Sequence, residues 1–144
     1  MVVDSTLDTR VRVSGLRATL ALALAAVVAV ALNAAVAAIA VAAGAPASYA
    51  PLTLPVFGAF TVAGVVVGWF GWLLVTRKST RPRAVLAWLA PAVLVLSFAP
   101  DVALLVLRFI PGTTTAAVVA LMVMHAIVFA VAVPVYAWLT RTPR

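Results

Sequence analysis

This chain of 144 residues is 67% hydrophobic and 9% charged, whereas an ordinary soluble domain has about 25% charged residues. Its net charge is +7, and the absence of cysteine excludes disulfides and thiolate chemistry. Residues 18–76 contain no Asp, Glu, Lys, Arg or His, and residues 109–140 contain only His125. A soluble domain needs charge on its solvent face, so these two stretches predict sequence that faces lipid.

The apolar runs predict an all-α, polytopic membrane protein whose four transmembrane helices form a bundle. A helix rises about 1.5 Å per residue, so about 20 residues cross a hydrocarbon core of about 30 Å. A first segment, 1–15, is expected to be cytoplasmic and disordered, and 142–144 form a cytoplasmic tail. The membrane domain between them, 16–141, has predicted spans at about 18–43, 56–76, 84–107 and 115–140.

A cleaved signal peptide is the competing interpretation of the first span. Basic residues precede it, and small residues near Ala43 resemble a cleavage site. The apolar run nevertheless exceeds the roughly 7–15 residues of a signal-peptide core, which favours a retained helix. Pro46, Pro51 and Pro55 then predict an uncharged, helix-breaking loop before the second span.

The third span has two interpretations. Residues 84–99 alone would reach only about 24 Å, which is too short to cross. Continuation through Pro100 to Leu107 gives a full crossing with a proline kink, and we expect this form. In the alternative, Asp101 caps a short surface helix that ends at Pro111-Gly112.

The basic residues predict that both termini are cytoplasmic, by the positive-inside rule. Every basic residue except Arg108 lies at the same predicted end of the spans: Arg10, Arg12, Arg17, Arg77, Lys78, Arg81, Arg83, Arg141 and Arg144. The four tryptophans, Trp69, Trp72, Trp88 and Trp138, also fall near that end, as in an interfacial aromatic belt.

Polar residues within the spans predict a layer at one depth. Counted from the basic end of each span, they lie about 21–27 Å into the membrane on straight helices. Each should face the bundle interior, because a polar group in hydrocarbon needs a partner. The members of this candidate layer are His125, Asn33, Thr61, Ser97 and Asp101.

Small residues share faces with this layer and predict close helix packing. Asn33 lies on a stripe with Ala26, Ala29, Ala37 and Ala40. Thr61 lies on a stripe with Gly64, Gly68 and Gly71, and the Gly64-x-x-x-Gly68 pair suits either an internal contact or a homodimer seam.

Charged residues supply two further candidate sites. Asp101 and Arg108 lie on one helical face and predict an ion pair at the outer interface. Arg77, Lys78, Arg81 and Arg83 form a basic loop that sets the topology or binds anionic lipid headgroups. Because the basic residues cluster at the ends of apolar runs, lipid is a more suitable anionic partner than nucleic acid, which we do not expect.

The whole chain resembles a group of small actinobacterial membrane proteins that share a four-helix domain of unknown function. The resemblance rests on the basic loop Arg77–Arg83, on the stretch TAAVVALMVMH at residues 115–125, and on Val133-Pro134. It covers about residues 15–140 and implies the four-helix topology without any activity. Small multidrug transporters also have four short helices, but the acidic residue of their first helix is absent here, where only Asn33 is polar.

No phosphate loop, zinc-type histidine pair, nucleophile elbow or intramembrane carboxylate pair occurs, so we expect neither an enzyme nor a metal or other cofactor. The leading expectation is a non-enzymatic structural or accessory membrane protein, with a homodimer or a partner membrane protein as possible assemblies. One alternative is a small proton-linked transporter that uses His125, Asp101 and Asn33. The second alternative is a protein that binds anionic lipids through the basic loop.

Overall fold

The structure is a computed structural model that describes residues 15–141. The predicted N-terminal segment and C-terminal tail therefore lie outside the described residues, apart from Gly15. Within 15–141 the chain forms a short 3-10 turn, Ala50–Leu52, and five α-helices. These are α1, Gly15–Ala42; α2, Leu54–Lys78; α3, Pro82–Ser97; α4, Ala99–Leu107; and α5, Thr115–Leu139.

Four helical stretches are long and apolar enough to cross a membrane, which confirms the all-α class and the four candidate spans. Three are α1, α2 and α5, and the remaining one is Pro82–Leu107, which comprises α3 and α4. The chain is therefore a multi-pass membrane protein by the length and composition of its helices.

The third span is interrupted at Phe98. Pro100 has no backbone N–H and cannot donate to the Leu96 carbonyl, so the helical hydrogen-bond ladder is broken just before it. The Phe98 N–H bonds to Val95 O, only three residues earlier, at 3.2 Å. The regular spacing of four residues resumes where the Val102 N–H bonds to Phe98 O at 2.9 Å. Asp101 lies in the first turn of α4 but does not cap it, because the N-cap is Phe98 and no side chain bonds there.

α1 and α5 form the centre of the bundle and pack more extensively on each other than any other pair of helices. α2 packs against both, α4 packs against α5, and α3 packs mainly against α2, α4 and α5. α3 has no buried residue, so it is the peripheral helix of the described bundle.

The predicted alanine stripe is confirmed. Ala26, Ala29, Ala37 and Ala40 are buried on α1 together with Asn33. Most of the large apolar side chains of α1 lie outside instead, and on α2 Phe60 is 75% exposed. Small side chains let helix backbones approach, while large apolar groups suit lipid, so this inverted arrangement fits a bundle in a membrane.

One end of the bundle is closed by the two loops 43–53 and 108–114. Tyr49 is 1% exposed, and its hydroxyl lies 3.3 Å from Thr113 Oγ1 across the loops. Gly112 has φ +83°, and a side chain there would meet Pro46 at 3.5 Å. The opposite end carries the start of α1, the end of α5 and the basic loop between α2 and α3.

Candidate functional site: two polar pairs between the helices

The first polar pair joins α1 to α2. Asn33 Nδ2 donates a hydrogen bond to Thr61 Oγ1 at 2.9 Å, and both residues are buried. Asn33 Oδ1 has no hydrogen-bond partner among the described residues. Because the interior around it is lined by alanine, this amide is a polar link between two closely packed helices.

The second polar pair joins α4 to α5. His125 Nδ1 lies 3.1 Å from Asp101 Oδ2, and the Asp101 side chain is only 5% exposed, whereas that of His125 is 39% exposed. Phe98, at the break between α3 and α4, packs edge-on against the imidazole with ring centroids 6.3 Å apart. The helix break, the carboxyl group and the imidazole therefore meet at one place.

The hydrogen bonding of this pair is incomplete. His125 Nδ1 also lies 2.8 Å from the carbonyl oxygen of Leu121, one turn earlier on α5. A single ring N–H cannot point at both oxygens, and Asp101 Oδ2 is left without a hydrogen bond despite its closeness. The geometry can hold a proton between an imidazole and a carboxyl group, which is the chemistry of intramembrane proton relays.

The remaining predicted site residues are placed differently from the expectation. Ser97 joins neither pair, because its hydroxyl donates to Leu94 O in its own helix at 2.6 Å. The expected ion pair between Asp101 and Arg108 does not form. Arg108 ends α4 in the left-handed conformation, at φ 48° and ψ 34°, and is exposed. α4 therefore ends at Leu107, and Arg108 does not follow the helical direction that would bring its side chain towards Asp101.

The glycines of α2 divide into two kinds. A Cβ on Gly64 would lie 3.8 Å from Val128, and a Cβ on Gly68 would lie 2.8 Å from the Tyr136 hydroxyl. Both glycines thus face α5 within the chain, whereas a Cβ on Gly71 would meet nothing within 4 Å. The internal interpretation of the Gly64/Gly68 motif fits this arrangement, and the predicted packing role of Gly71 does not.

Tyr136 is the main residue that the sequence pattern did not reveal. It is 4% exposed, and its hydroxyl donates to the Val65 carbonyl oxygen across the groove left by Gly68. Its ring packs against Trp69 and Trp72, with centroids 5.7 and 5.8 Å apart. The available signal was the hydroxyl itself, because a tyrosine in an apolar span needs a hydrogen-bond acceptor.

The tryptophans accordingly do not form one belt. Trp69 is buried, and Trp72 donates to Thr140 Oγ1 at 3.0 Å, so both help to join α2 to α5. Trp88 and Trp138 are 83% and 54% exposed and remain available to an interface. Hydropathy could not distinguish the two kinds, because it does not report the rotation of a helix.

The basic loop is an exposed cluster of cations at one end of the bundle. The side chains of Arg77, Lys78, Arg81 and Arg83 are all exposed, and Ser79 Oγ accepts the Arg81 N–H at 3.1 Å within the turn. Between residues 15 and 141 the only acidic residue is Asp101, which is buried against α5. The loop cations thus have no acidic neighbour in that part of the chain.

Two shallow surface hollows accompany these features. One runs along α3 from Arg81 to Ala92, and the other lies between α1 and α5 around Ala40 and Ala120. Neither is lined by His125, Asp101 or Asn33.

Comparison with known proteins identifies the family of the chain. Residues 13–142 match the model of a family of unknown function, DUF6069, and the chain belongs to that family. No curated protein and no solved structure matches it. Family membership is shown, while the attribution to actinobacterial proteins stays a prediction.

Proposed function

We propose that this DUF6069 protein is a non-enzymatic integral membrane protein, a structural or accessory component of the cell membrane. The observation that carries the proposal is the contact between α1 and α5, in which α1 buries only alanines and Asn33 while most of its large apolar side chains face outward. Such an interior serves the close packing of helices.

The arrangement of the polar groups supports this role. Asn33 and Thr61 bond to each other, and Asp101 contacts His125, so these side chains connect helices. The two surface hollows do not lead to them. An active site or a permeation path would instead present polar groups to an accessible cavity.

We further propose four membrane crossings with both termini in the cytoplasm. The basic loop, Arg17 and Arg141 belong to one end of the bundle, and Arg108 belongs to the other. The excess of basic residues at one end supports its cytoplasmic placement.

Single cysteines introduced into this cysteine-free chain test the topology. Ser48→Cys and Thr80→Cys place thiols at exposed positions in the 43–53 loop and in the basic loop. A membrane-impermeant maleimide should label Ser48→Cys in intact cells and Thr80→Cys only after permeabilisation. The reverse pattern would invert the orientation, and labelling of both in intact cells would refute four crossings.

The contact between His125 and Asp101 favours a second candidate function, a proton-linked transporter. A carboxyl group 3.1 Å from an imidazole within a membrane span can bind and release a proton. The exposed part of the imidazole gives the pair one accessible side, while the carboxyl group remains buried.

Proton flux separates the two candidates. The purified protein is reconstituted into vesicles containing a pH-sensitive dye, beside Asp101→Asn, His125→Leu and protein-free vesicles. The structural role predicts the same slow proton leak in all four samples under an imposed pH gradient. Flux in the wild-type vesicles that both variants abolish would overturn that role and support the transporter.

A further inference from the structure

The peripheral helix α3 carries an unusual combination of an apolar stripe and a cation. The first of the two surface hollows, called the groove from here on, follows one side of α3. Its lining residues recur at intervals of three and four: Arg81, Ala84, Val85, Trp88, Leu89 and Ala92. Positions at these intervals lie on the same face, so the stripe is continuous. All of its residues are exposed, and α3 buries none of its side chains in the bundle.

The length of this stripe suits one lipid chain. From Arg81 to Ala92 the helix rises about 16 Å, close to half of a hydrocarbon core of about 30 Å. Ala84 and Ala92 leave room beside Trp88, whose ring forms a large wall that is 83% exposed. An extended acyl chain can lie along this surface from the interface towards the middle of the membrane.

Four cations lie at the Arg81 end of the groove. Arg81 lines the groove itself, and Arg77, Lys78 and Arg83 stand in the same exposed loop. Asp101, the one acidic residue between positions 15 and 141, lies between α4 and α5 and does not neutralise them. This positive mouth is complementary to a phosphate group that carries net negative charge.

We propose that the groove on α3 is a binding site for an anionic phospholipid. Its phosphate contacts Arg81 and its acyl chain lies along Val85, Trp88 and Leu89. The site makes Arg81 different from the other cations of the loop, because it alone among them lines the groove.

Lipid binding to the detergent-solubilised protein, measured by native mass spectrometry, tests the site. Phosphatidylglycerol is titrated beside phosphatidylcholine, and sn-glycerol 3-phosphate is added as a competitor that has the charge but no acyl chain. We expect wild-type protein to prefer phosphatidylglycerol and the competitor to leave that binding unchanged. Displacement by the competitor would assign the site to a free phosphate group and overturn the lipid proposal.

Three arginine variants provide the matched comparison. Arg81→Gln should weaken phosphatidylglycerol binding about ten-fold, the factor that corresponds to about 1.5 kcal/mol for a hydrogen bond between charged groups. Arg77→Gln removes the same charge from the same loop outside the groove, and Arg108→Gln removes an exposed charge at the other end. Both should retain at least half of the wild-type affinity. Equal losses in Arg81→Gln and Arg77→Gln would show diffuse attraction and refute a defined site.

Trp88→Ala tests the acyl-chain part of the groove without changing charge. We expect it to weaken phosphatidylglycerol binding several-fold, because the chain loses its largest apolar contact. Trp88 is exposed and α3 buries no side chain, so the variant should remain folded by circular dichroism. Wild-type affinity in a folded Trp88→Ala protein would contradict the groove.

Discussion

Gly68 gives the sharpest test of how this bundle is held together. A Cβ at this position would lie 2.8 Å from the Tyr136 hydroxyl, which is closer than real Cβ atoms approach, and 3.3 Å from its Cε2, which is tighter than most real contacts. The tyrosine cannot move freely, because its hydroxyl bonds to Val65 O and its ring packs on Trp69 and Trp72. Gly68→Ala must therefore displace a ring that three contacts hold in place.

The expected cost follows from those contacts. Alanine in a helix interior is favoured over glycine by about 0.5–1 kcal/mol through backbone entropy and propensity. Against this gain, the displaced tyrosine loses an interhelical hydrogen bond of about 0.6 kcal/mol, or up to about 1.7 kcal/mol. It also loses aromatic contacts that contribute about 0.5–1.5 kcal/mol each. The gain is the same for any alanine variant of this kind, so loss of all three contacts should make Gly68→Ala about 1.6–4.7 kcal/mol less stable than an alanine variant that meets no obstacle.

Gly71→Ala is that matched control, since its Cβ meets nothing within 4 Å on the same helix. The free energy of unfolding is measured in mixed micelles by titration with a denaturing detergent, followed by tryptophan fluorescence. Gly71→Ala should be as stable as the wild type or more stable. Gly64→Ala should stay close to it, because its Cβ would make an ordinary contact at 3.8 Å with Val128.

The clash itself is isolated by removing the hydroxyl. In a Tyr136→Phe background the closest atom is absent, so Gly68→Ala should cost about 1 kcal/mol less than in the wild type. Equal stability of Gly68→Ala and Gly71→Ala, or an equal cost of Gly68→Ala with and without the hydroxyl, would refute the clash with Tyr136.

Three other predictions follow from the polar contacts and the end of α4. A double-mutant cycle of Asn33→Ala and Thr61→Ala should give a coupling of about 0.6 kcal/mol, and at most about 1.7, and additive effects would contradict the hydrogen bond. Arg108→Gly should raise the free energy of unfolding by about 1 kcal/mol, because a side chain is strained at φ 48°; a loss of stability would show that its side chain makes a stabilising contact. His125→Leu leaves the buried Asp101 carboxyl group unpaired. Its free energy of unfolding in detergent should therefore be lower than that of the double variant that also carries Asp101→Asn. The opposite order would mean that the pair contributes nothing to stability.

Depth along the helices follows from the amino-acid sequence alone. The absence of charge between residues 18 and 76 identifies lipid-facing helices, because charge in hydrocarbon is costly. The number of residues from each basic end predicts that Asn33 lies level with Thr61, and Asp101 close to the level of His125. These pairs do meet in the structure, because helical rise is uniform and short loops align the ends.

Rotation and partner choice do not follow from the sequence in the same way. Ser97 occupies the predicted depth yet bonds within its own helix, and Arg108 misses Asp101 because the helix ends in a left-handed residue. Trp69 and Trp88 have the same hydropathy, but one is buried and the other is 83% exposed. A sequence pattern gives the relative positions of side chains on one helix, but not the direction in which that helix faces its neighbours.

The chain by itself thus determined the helical class, the number of candidate crossings and the end at which the cations gather, because each depends on local length and charge. Only the tertiary structure decided that Tyr136 fills the space over Gly68, that His125 stands against Asp101, and that α3 leaves a groove open beside Arg81. Those contacts join residues distant in sequence, and they depend on how helices rotate and pack when small side chains allow their backbones to approach.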